Sequence, residues 1–316
     1  MENKVTISIV VITYNHAKFI NQALNGIVSQ KFDGSIELII SNDNSTDNTN
    51  EKINCFLKKF NQERKKDFLI KYYNHPKNLG AIPNFKWSLS EAQGKYIAIC
   101  EGDDYWTDPY KLQKQVDFLE NNPEYVVCSH NAKIIDSNGV LLKDKKIPQL
   151  TKDRDYSPYE LQTGAFLLTL GMVFRNVIKD YPPNFSKVLN GDTFLISILG
   201  AYGKGKYLEN IQPAAYRIHE GGIWSTLETL KRLKASRVFN KEMMVYHKNN
   251  KEVFNYWQQK QRNVSRKLLR LLAEIDNFKD YFSINIFYIT QNPVFTSRYR
   301  LKELLKQNYL AVKSII

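Results

Sequence analysis

Thr6-Ile7-Ser8-Ile9-Val10-Val11-Ile12 runs into Thr13-Tyr14-Asn15. A nearly unbroken run of β-branched residues is what a strand buried on both faces requires. The polar triplet then ends it. Helical spacing follows over residues 16–30, with Phe19, Ile20, Ala23, Leu24 and Ile27 on one face. The alternation continues. Strands are expected at 36–40, 68–72, 96–100 and 125–129. Helices are expected at 46–60 (burying Ile53, Phe56, Leu57 and Phe60), 82–92 and 109–120. Strand and helix in turn mark βα units wound on a parallel sheet. The expected fold is therefore α/β, a mostly parallel central sheet flanked by helices.

Beyond this block the pattern loosens. Asp136-Ser137-Asn138-Gly139 reads as a hairpin turn. Residues 143–160 read as a polar loop, 164–175 as an apolar run, 192–202 as a helix and 207–211 as a short strand. From Ser225 onward the chain reads as mainly helical. Leu227, Leu230, Leu233 and Val238 share a face, Leu268, Leu269, Leu271 and Leu272 lie in a basic helix, and Leu301, Leu304, Leu305 and Leu310 in the last. Two domains are expected, 1–225 and a basic helical region, 226–316.

The most informative chemistry is Glu101-Gly102-Asp103-Asp104-Tyr105-Trp106, directly after the 96–100 strand. Three carboxylates at the end of a buried strand repel one another unless something offsets them. A hard divalent cation, magnesium or manganese, is the simplest candidate. The end of a parallel strand is also where open α/β sheets bind ligands. An acidic turn opening the next helix is the plainer reading, but Asp108-Pro109 fills that role as N-cap and first helical residue.

Other strand ends carry weaker signals. Thr13-Tyr14-Asn15 suits a flat heterocycle with a ribose, and equally a turn. In Ser41-Asn42-Asp43-Asn44-Ser45-Thr46-Asp47, a cap at Ser45 or Thr46 explains the end of the segment, while Asp43 comes too early and can accept from a base N–H. Asn78-Leu79-Gly80 is a tight turn or a phosphate contact. Gly191-Asp192 opens a helix. Tyr216-Arg217-Ile218-His219-Glu220-Gly221-Gly222-Ile223-Trp224-Ser225 has loop character, with a histidine able to complete a metal shell beside a glycine hinge. No P-loop, Gly-x-Gly-x-x-Gly, zinc-protease helix or Gly-x-Ser-x-Gly elbow is present.

Taken in order, Val11-Ile12-Thr13-Tyr14-Asn15, Ile39 through Asp47, Asn78-Leu79-Gly80, Gly94 through Ala98, Glu101-Gly102-Asp103-Asp104, Gly191-Asp192 and the Arg217–Ser225 loop resemble the inverting glycosyltransferases of family 2, with the GT-A fold. The resemblance covers residues 5–225. It implies sugar transfer from a nucleotide diphosphate donor (UDP- or dTDP-linked) to a glycan or lipid-linked hydroxyl, as in capsule or O-antigen synthesis. Thr13, Tyr14, Asn15, Asp43, Asn78, Asp103 and Arg217 would hold the donor. Asp104 first, then Asp103, with His219, would hold Mn2+ or Mg2+. Asp192 would be the general base. Two departures stand out. Asn44 replaces the usual glycine, which a left-handed conformation allows, and Glu101 replaces an aspartate.

Charge divides the chain. The net is +13, yet from Ser225 to Ile316 there are 18 Lys and Arg against 7 Asp and Glu, leaving residues 1–224 nearly neutral. A nucleic-acid-binding protein would want a positive stripe on the main domain, so none is expected. A nucleotidyltransferase would want a glycine-rich basic loop after the first strand. The basic tail suits an anionic membrane surface, contact between copies, or a solvated helix face. No apolar run reaches the roughly 18 residues of a membrane span, and no signal peptide is evident. Cys55, Cys100 and Cys128 are isolated and read as reduced core thiols. The expected location is cytoplasmic, peripheral on the inner face of the membrane.

Overall fold

A computed structural model describes residues 5–63, 68–221, 228–274, 280–281 and 310. Gly222, Trp224, Ser225, Leu227, Leu301, Leu304 and Leu305 lie outside these. The chain divides into two compact units, 1–186 with 190–226, and 187–189 with 227–316.

The first unit begins with β1 (Ile7–Thr13), α1 (Ile20–Val28), β2 (Ile36–Asn42), α2 (Thr49–Glu63), β3 (Phe68–Asn74), α3 (Ala81–Ser90), β4 (Tyr96–Ile99), α4 (Lys111–Asn121) and β5 (Tyr125–Ser129). It continues with β6 (Ala132–Ile135), β7 (Leu141–Lys143), β8 (Arg154–Tyr156), α5 (Pro158–Gln162), β9 (Val173–Arg175), α6 (Gly191–Leu199), β10 (Lys204–Tyr207) and β11 (Ala214–Arg217). Eight strands form one sheet in the order β3-β2-β1-β4-β9-β5-β10-β8, and β11-β6-β7 form a second. β1 pairs in parallel with β2 and with β4, Ile7 opposite Ile36 and Tyr96. Ile7, Ile9, Val10 and Val11 are fully buried. Each contributes about 1.5–3 kcal/mol relative to exposure, which is why this run becomes a central strand.

Several boundaries differ from expectation. The 16–30 helix starts only at Ile20, because the N–H groups of residues 15–17 are held by Ser45, Thr49 and Asp47. The 46–60 helix starts at Thr49, whose N–H bonds to Asp47 Oδ1 at 2.9 Å; Asp47 caps it, not Ser45 or Thr46. The 109–120 helix starts at Lys111, although the Asp108 carboxylate does accept from the Tyr110 N–H at 2.9 Å. The 143–160 loop contains β8, an antiparallel edge strand on β10, and the start of α5 behind a Ser157–Glu160 capping box. The 164–175 run supplies β9, antiparallel between β4 and β5. The short strand expected at 207–211 is β10, which ends at Tyr207. Cys55 is exposed, while Cys100 and Cys128 are buried.

In the second unit, α7 (Thr229–Tyr246) packs with α8 (Lys251–Glu274). α8 buries Val253, Trp257, Gln261, Ser265, Leu268 and Leu272, three or four residues apart. Its Trp257 meets Phe239 of α7 edge-on at 5.4 Å. Leu230 and Leu233 pack on the Leu268–Leu272–Tyr281 cluster, but Val238 and Leu310 are exposed. Phe239 and Met243 set the buried face of α7, and Val238 points about 100° from Phe239. Among the described residues no helix is long and apolar enough to cross a membrane.

Candidate active site

β1 lies between β2 and β4, so the connections leaving its C-terminal end diverge and open a crevice. Three polar segments line it, from the ends of β1, β2 and β4.

The acidic turn is pinned to β1 by the Gly102 N–H, which donates to the Ile12 carbonyl at 3.0 Å. A Cβ at Gly102 would stand 2.7 Å from Thr13 Oγ1 and 3.0 Å from His16 Nδ1. Only glycine lets the turn approach this closely. Asp103 then lies 2.9 Å from His219 Nε2 and 3.9 Å from His16 Nε2. His219 is packed against Phe19, ring centroids 5.0 Å apart. Burial works against charge on Asp103, but His16 and His219 outweigh it and hold the carboxyl below its usual range. Burial pushes the His16 imidazole down, with Asp103 opposing.

His16, Asp103 and His219 offer ligand atoms all within 4.8 Å of one another. Thr13 Oγ1, His16 Nδ1 and Glu101 Oε2 are buried without hydrogen-bond partners. Unsatisfied buried polar atoms cost about 1–3 kcal/mol each, and here they stand around the two histidines and a carboxylate. The donor set therefore fits a divalent ion.

The two adjacent aspartates, both expected to hold a metal, meet different partners. Asp104 is buried, and its Oδ1 accepts the Arg217 N–H at 2.7 Å. Burial, then Asp103 and Glu101, push its carboxyl well above the usual range. Asp104 instead ties the turn to β11, where Tyr105 and Ala215 also exchange backbone bonds of 2.8 and 3.2 Å. Asp103, not Asp104, is the carboxylate that lies with His16 and His219. Arg217, expected at the donor, is engaged within the fold. Its guanidinium donates to the Asp103 carbonyl, the Asp136 carbonyl and Gln22 Oε1 at 2.9, 3.1 and 2.6 Å. It is a buried pin beneath the turn, without the free fork a diphosphate clamp needs. Glu101 is half-buried, and burial with Asp103 pushes its carboxyl up to about 8.

Asp43 is buried, and both its oxygens are engaged, by the Leu79 N–H at 2.6 Å and the Gly80 N–H at 3.0 Å. Asn78 Nδ2 donates to the Asp43 carbonyl at 3.1 Å. The expected base contact at Asp43 is thus first a clamp on the 78–80 turn. Asn44 has φ 58°, as the substitution for glycine requires. Asn15 is likewise scaffold. At φ 56°, its Oδ1 accepts from the Thr46 N–H at 2.8 Å and its N–H donates to Ser45 Oγ at 2.9 Å. The Tyr14 side chain is exposed, at 42%.

Asp192 lies in the first turn of α6, not at its cap, and its Oδ1 accepts the Thr193 N–H at 2.7 Å. Burial raises its carboxyl. Gly191 faces Ile82 and Phe85, so its smallness serves helix packing. Lys146 stands on Tyr216 of β11, its Nζ 3.1 Å from the ring centroid. Burial pushes its ammonium down, with Asp104, Glu101 and Asp192 opposing.

Sequence reasoning missed His16 and Lys146. His16 carried a signal, a histidine three residues past the strand-end threonine. Lys146 is one of several lysines in a polar stretch and carried none.

The glycosyl transferase family 2 model matches residues 8–181, more than half of the chain, and the chain belongs to that family. An uncharacterized protein of Mycobacterium tuberculosis is 36% identical over 227 residues, 71% of this chain and 62% of that protein. The chain thus spans about three fifths of the length of that relative. An Escherichia coli glucosyltransferase, WfaP, named for UDP-Glc and α-D-GlcNAc-diphosphoundecaprenol, is 29% identical over 69% of this chain and 79% of its own. The S. aureus TarS 1–349 structure with UDP-GlcNAc superposes with TM-score 0.64 at 17% identity, covering 98% of this chain and 90% of that one. That likeness is one of fold, and the fold is GT-A-like.

Proposed function

We propose that this chain transfers a glycosyl group, with inversion, from a nucleoside diphosphate sugar to an acceptor hydroxyl. The observation that carries this is the cluster of one carboxylate and two histidines at the ends of β1, β4 and β11. Asp103 lies between His16 and His219, and a separate carboxylate, Asp192, stands at the start of α6. Asp103, His16 and His219 would hold Mn2+ or Mg2+, which when bound offsets charge developing on a diphosphate leaving group. The exposed Tyr14 ring would lie against the base, and Thr13 Oγ1 would gain the partner it lacks. Asp192 is outside the histidine cluster and would take the acceptor proton during attack, worth roughly 10²–10⁴-fold. Arg217 and Asp104 act indirectly, by fixing where Asp103 stands.

UDP- or dTDP-sugars are the donors we favour, and a glycan or lipid-linked hydroxyl the acceptor, in surface polysaccharide synthesis. The UDP-Glc and diphosphoundecaprenol of the WfaP name support this choice. Residues 1–225 would form the catalytic domain. The basic 226–316 region, with Lys260, Arg262, Arg266, Lys267 and Arg270 on the outer side of α8, would rest on the anionic inner leaflet.

Donor hydrolysis measured over a panel of nucleotide sugars with Mn2+ tests the class and identifies the donor. Asp192→Asn should keep calorimetric binding of UDP with Mn2+ and lose transfer; near-normal turnover removes Asp192 from the role of base. Co-sedimentation with anionic liposomes that salt does not weaken would remove the membrane reading.

A further inference from the structure

β7 is the edge strand of the β11-β6-β7 sheet and pairs with β6. Among the described residues, Val140, Leu141 and Leu142 are the large apolar side chains exposed in consecutive positions, at 59%, 51% and 52%. Surface apolar side chains ordinarily stand singly, while a contiguous patch marks an interaction or membrane site. The run is stiffly held. The Asp136 N–H donates to the Val140 carbonyl at 2.9 Å, and the Gly139 N–H to the Asp136 carbonyl at 3.1 Å. Asp136 Oδ1 accepts the N–H groups of Asn138 and Val140, each at 2.8 Å. The carboxylate beside the tip is thus engaged by its own turn.

What covers the run follows from its geometry. Leu141 and Leu142 are neighbours in an extended strand, so their side chains leave opposite faces of the sheet. A protein surface laid on one face would cover one of them and leave the other in water. An apolar phase entered edge-first covers both, and Val140 with them. Lys143 and Lys145 are exposed and follow the run; Lys133, partly exposed, precedes Ile134, the β6 partner of Lys143. These three cations stand against Asp144. Ammonium groups flanking an apolar edge match anionic headgroups above acyl chains. The hairpin is also joined to the candidate site. The Asp136 carbonyl accepts from Arg217 Nη1 at 3.1 Å, and Arg217 Nε donates to the Asp103 carbonyl at 2.9 Å. An anchor here would fix the acidic turn relative to a lipid surface.

We propose that the 136–145 hairpin is an interfacial membrane anchor: Val140, Leu141 and Leu142 enter the acyl boundary of an anionic bilayer, with Lys133, Lys143 and Lys145 at headgroup level. The anchor is separate from the basic 226–316 region and needs neither donor nor acceptor, so it stands or falls apart from the sugar-transfer reading. Co-sedimentation of the full chain with vesicles of equal parts phosphatidylcholine and phosphatidylglycerol tests it. Binding through the charges of the 226–316 region should be lost in about 1 M NaCl, where the Debye length is about 3 Å. Binding through the hairpin should persist there. In the double variant L141N/L142N that remainder should fall at least about tenfold, about 1.4 kcal/mol. L69N, at an exposed leucine of β3, should bind as wild type. L142W should gain blue-shifted emission on vesicles that brominated acyl chains quench more than in wild type. If the double variant melts low, V140N, outside the β6–β7 ladder, serves with the same direction. Wild type that leaves the vesicles in high salt overturns the inference, and so does equal high-salt binding by wild type and the folded variants. Self-association in sedimentation velocity that the double variant abolishes, without high-salt vesicle binding, would make β7 a contact between copies and overturn it too.

Discussion

Asp43→Asn separates a scaffold role from a ligand role at the end of β2. The native carboxylate is buried and accepts two backbone N–H groups, from Leu79 at 2.6 Å and Gly80 at 3.0 Å. Hydrogen bonds to a charged partner contribute about 1.5–3 kcal/mol each. Asparagine keeps one acceptor, now neutral, and turns its NH2 toward the other N–H. One charge-assisted bond is lost and the second falls to about 0.5–1.5 kcal/mol. The net cost is about 2–4 kcal/mol. For a unit of this size that corresponds to a fall in Tm of roughly 4–16 °C. Calorimetric melting of the full chain reads the loss. Hydrogen exchange at the Leu79 and Gly80 amides reads its location, since both should lose protection. A Tm within about 1 °C of wild type, with UDP binding abolished, would refute the clamp and return Asp43 to the nucleotide.

Three further outcomes follow from the same geometry. Gly102→Ala places a Cβ 2.7 Å from Thr13 Oγ1 and 2.8 Å from Thr13 Cβ. It should cost about 1–3 kcal/mol and weaken Mn2+ binding in calorimetry. Lys71→Met strands the buried Glu37 carboxylate, whose Oε1 now meets Lys71 Nζ at 2.6 Å; urea unfolding should show a loss of about 3–5 kcal/mol. Glu101, raised from 4.5 to about 8 by burial and Asp103, keeps its proton in the native state while the unfolded chain ionises. Without metal, stability should therefore fall as pH rises from 4.5 to about 8, and Glu101→Gln should flatten that fall when urea midpoints in EDTA are compared across the window.

The second unit stands apart in what it reveals. Its α8 buries a regular stripe and leaves a cationic face, a pattern set by local periodicity.

The sequence alone determined the strand–helix alternation of the first 130 residues, because burial on both faces of a strand and on one face of a helix writes a local period. It also marked the acidic turn, since carboxylates at a buried strand end have no local explanation. It placed the left-handed Asn44, where a single residue's φ decides the matter. Which partners each polar residue meets was decided only in three dimensions. Asp103 and Asp104 are adjacent and identical in type, yet one meets two histidines from distant segments and the other a strand N–H more than a hundred residues away. Arg217 had the composition of an anion clamp and became a pin because carbonyls from two other segments reached it first. β9 inserted antiparallel between β4 and β5, a pairing no local period encodes. Hydrogen-bond partners and electrostatic neighbours are long-range facts, and only the tertiary structure holds them.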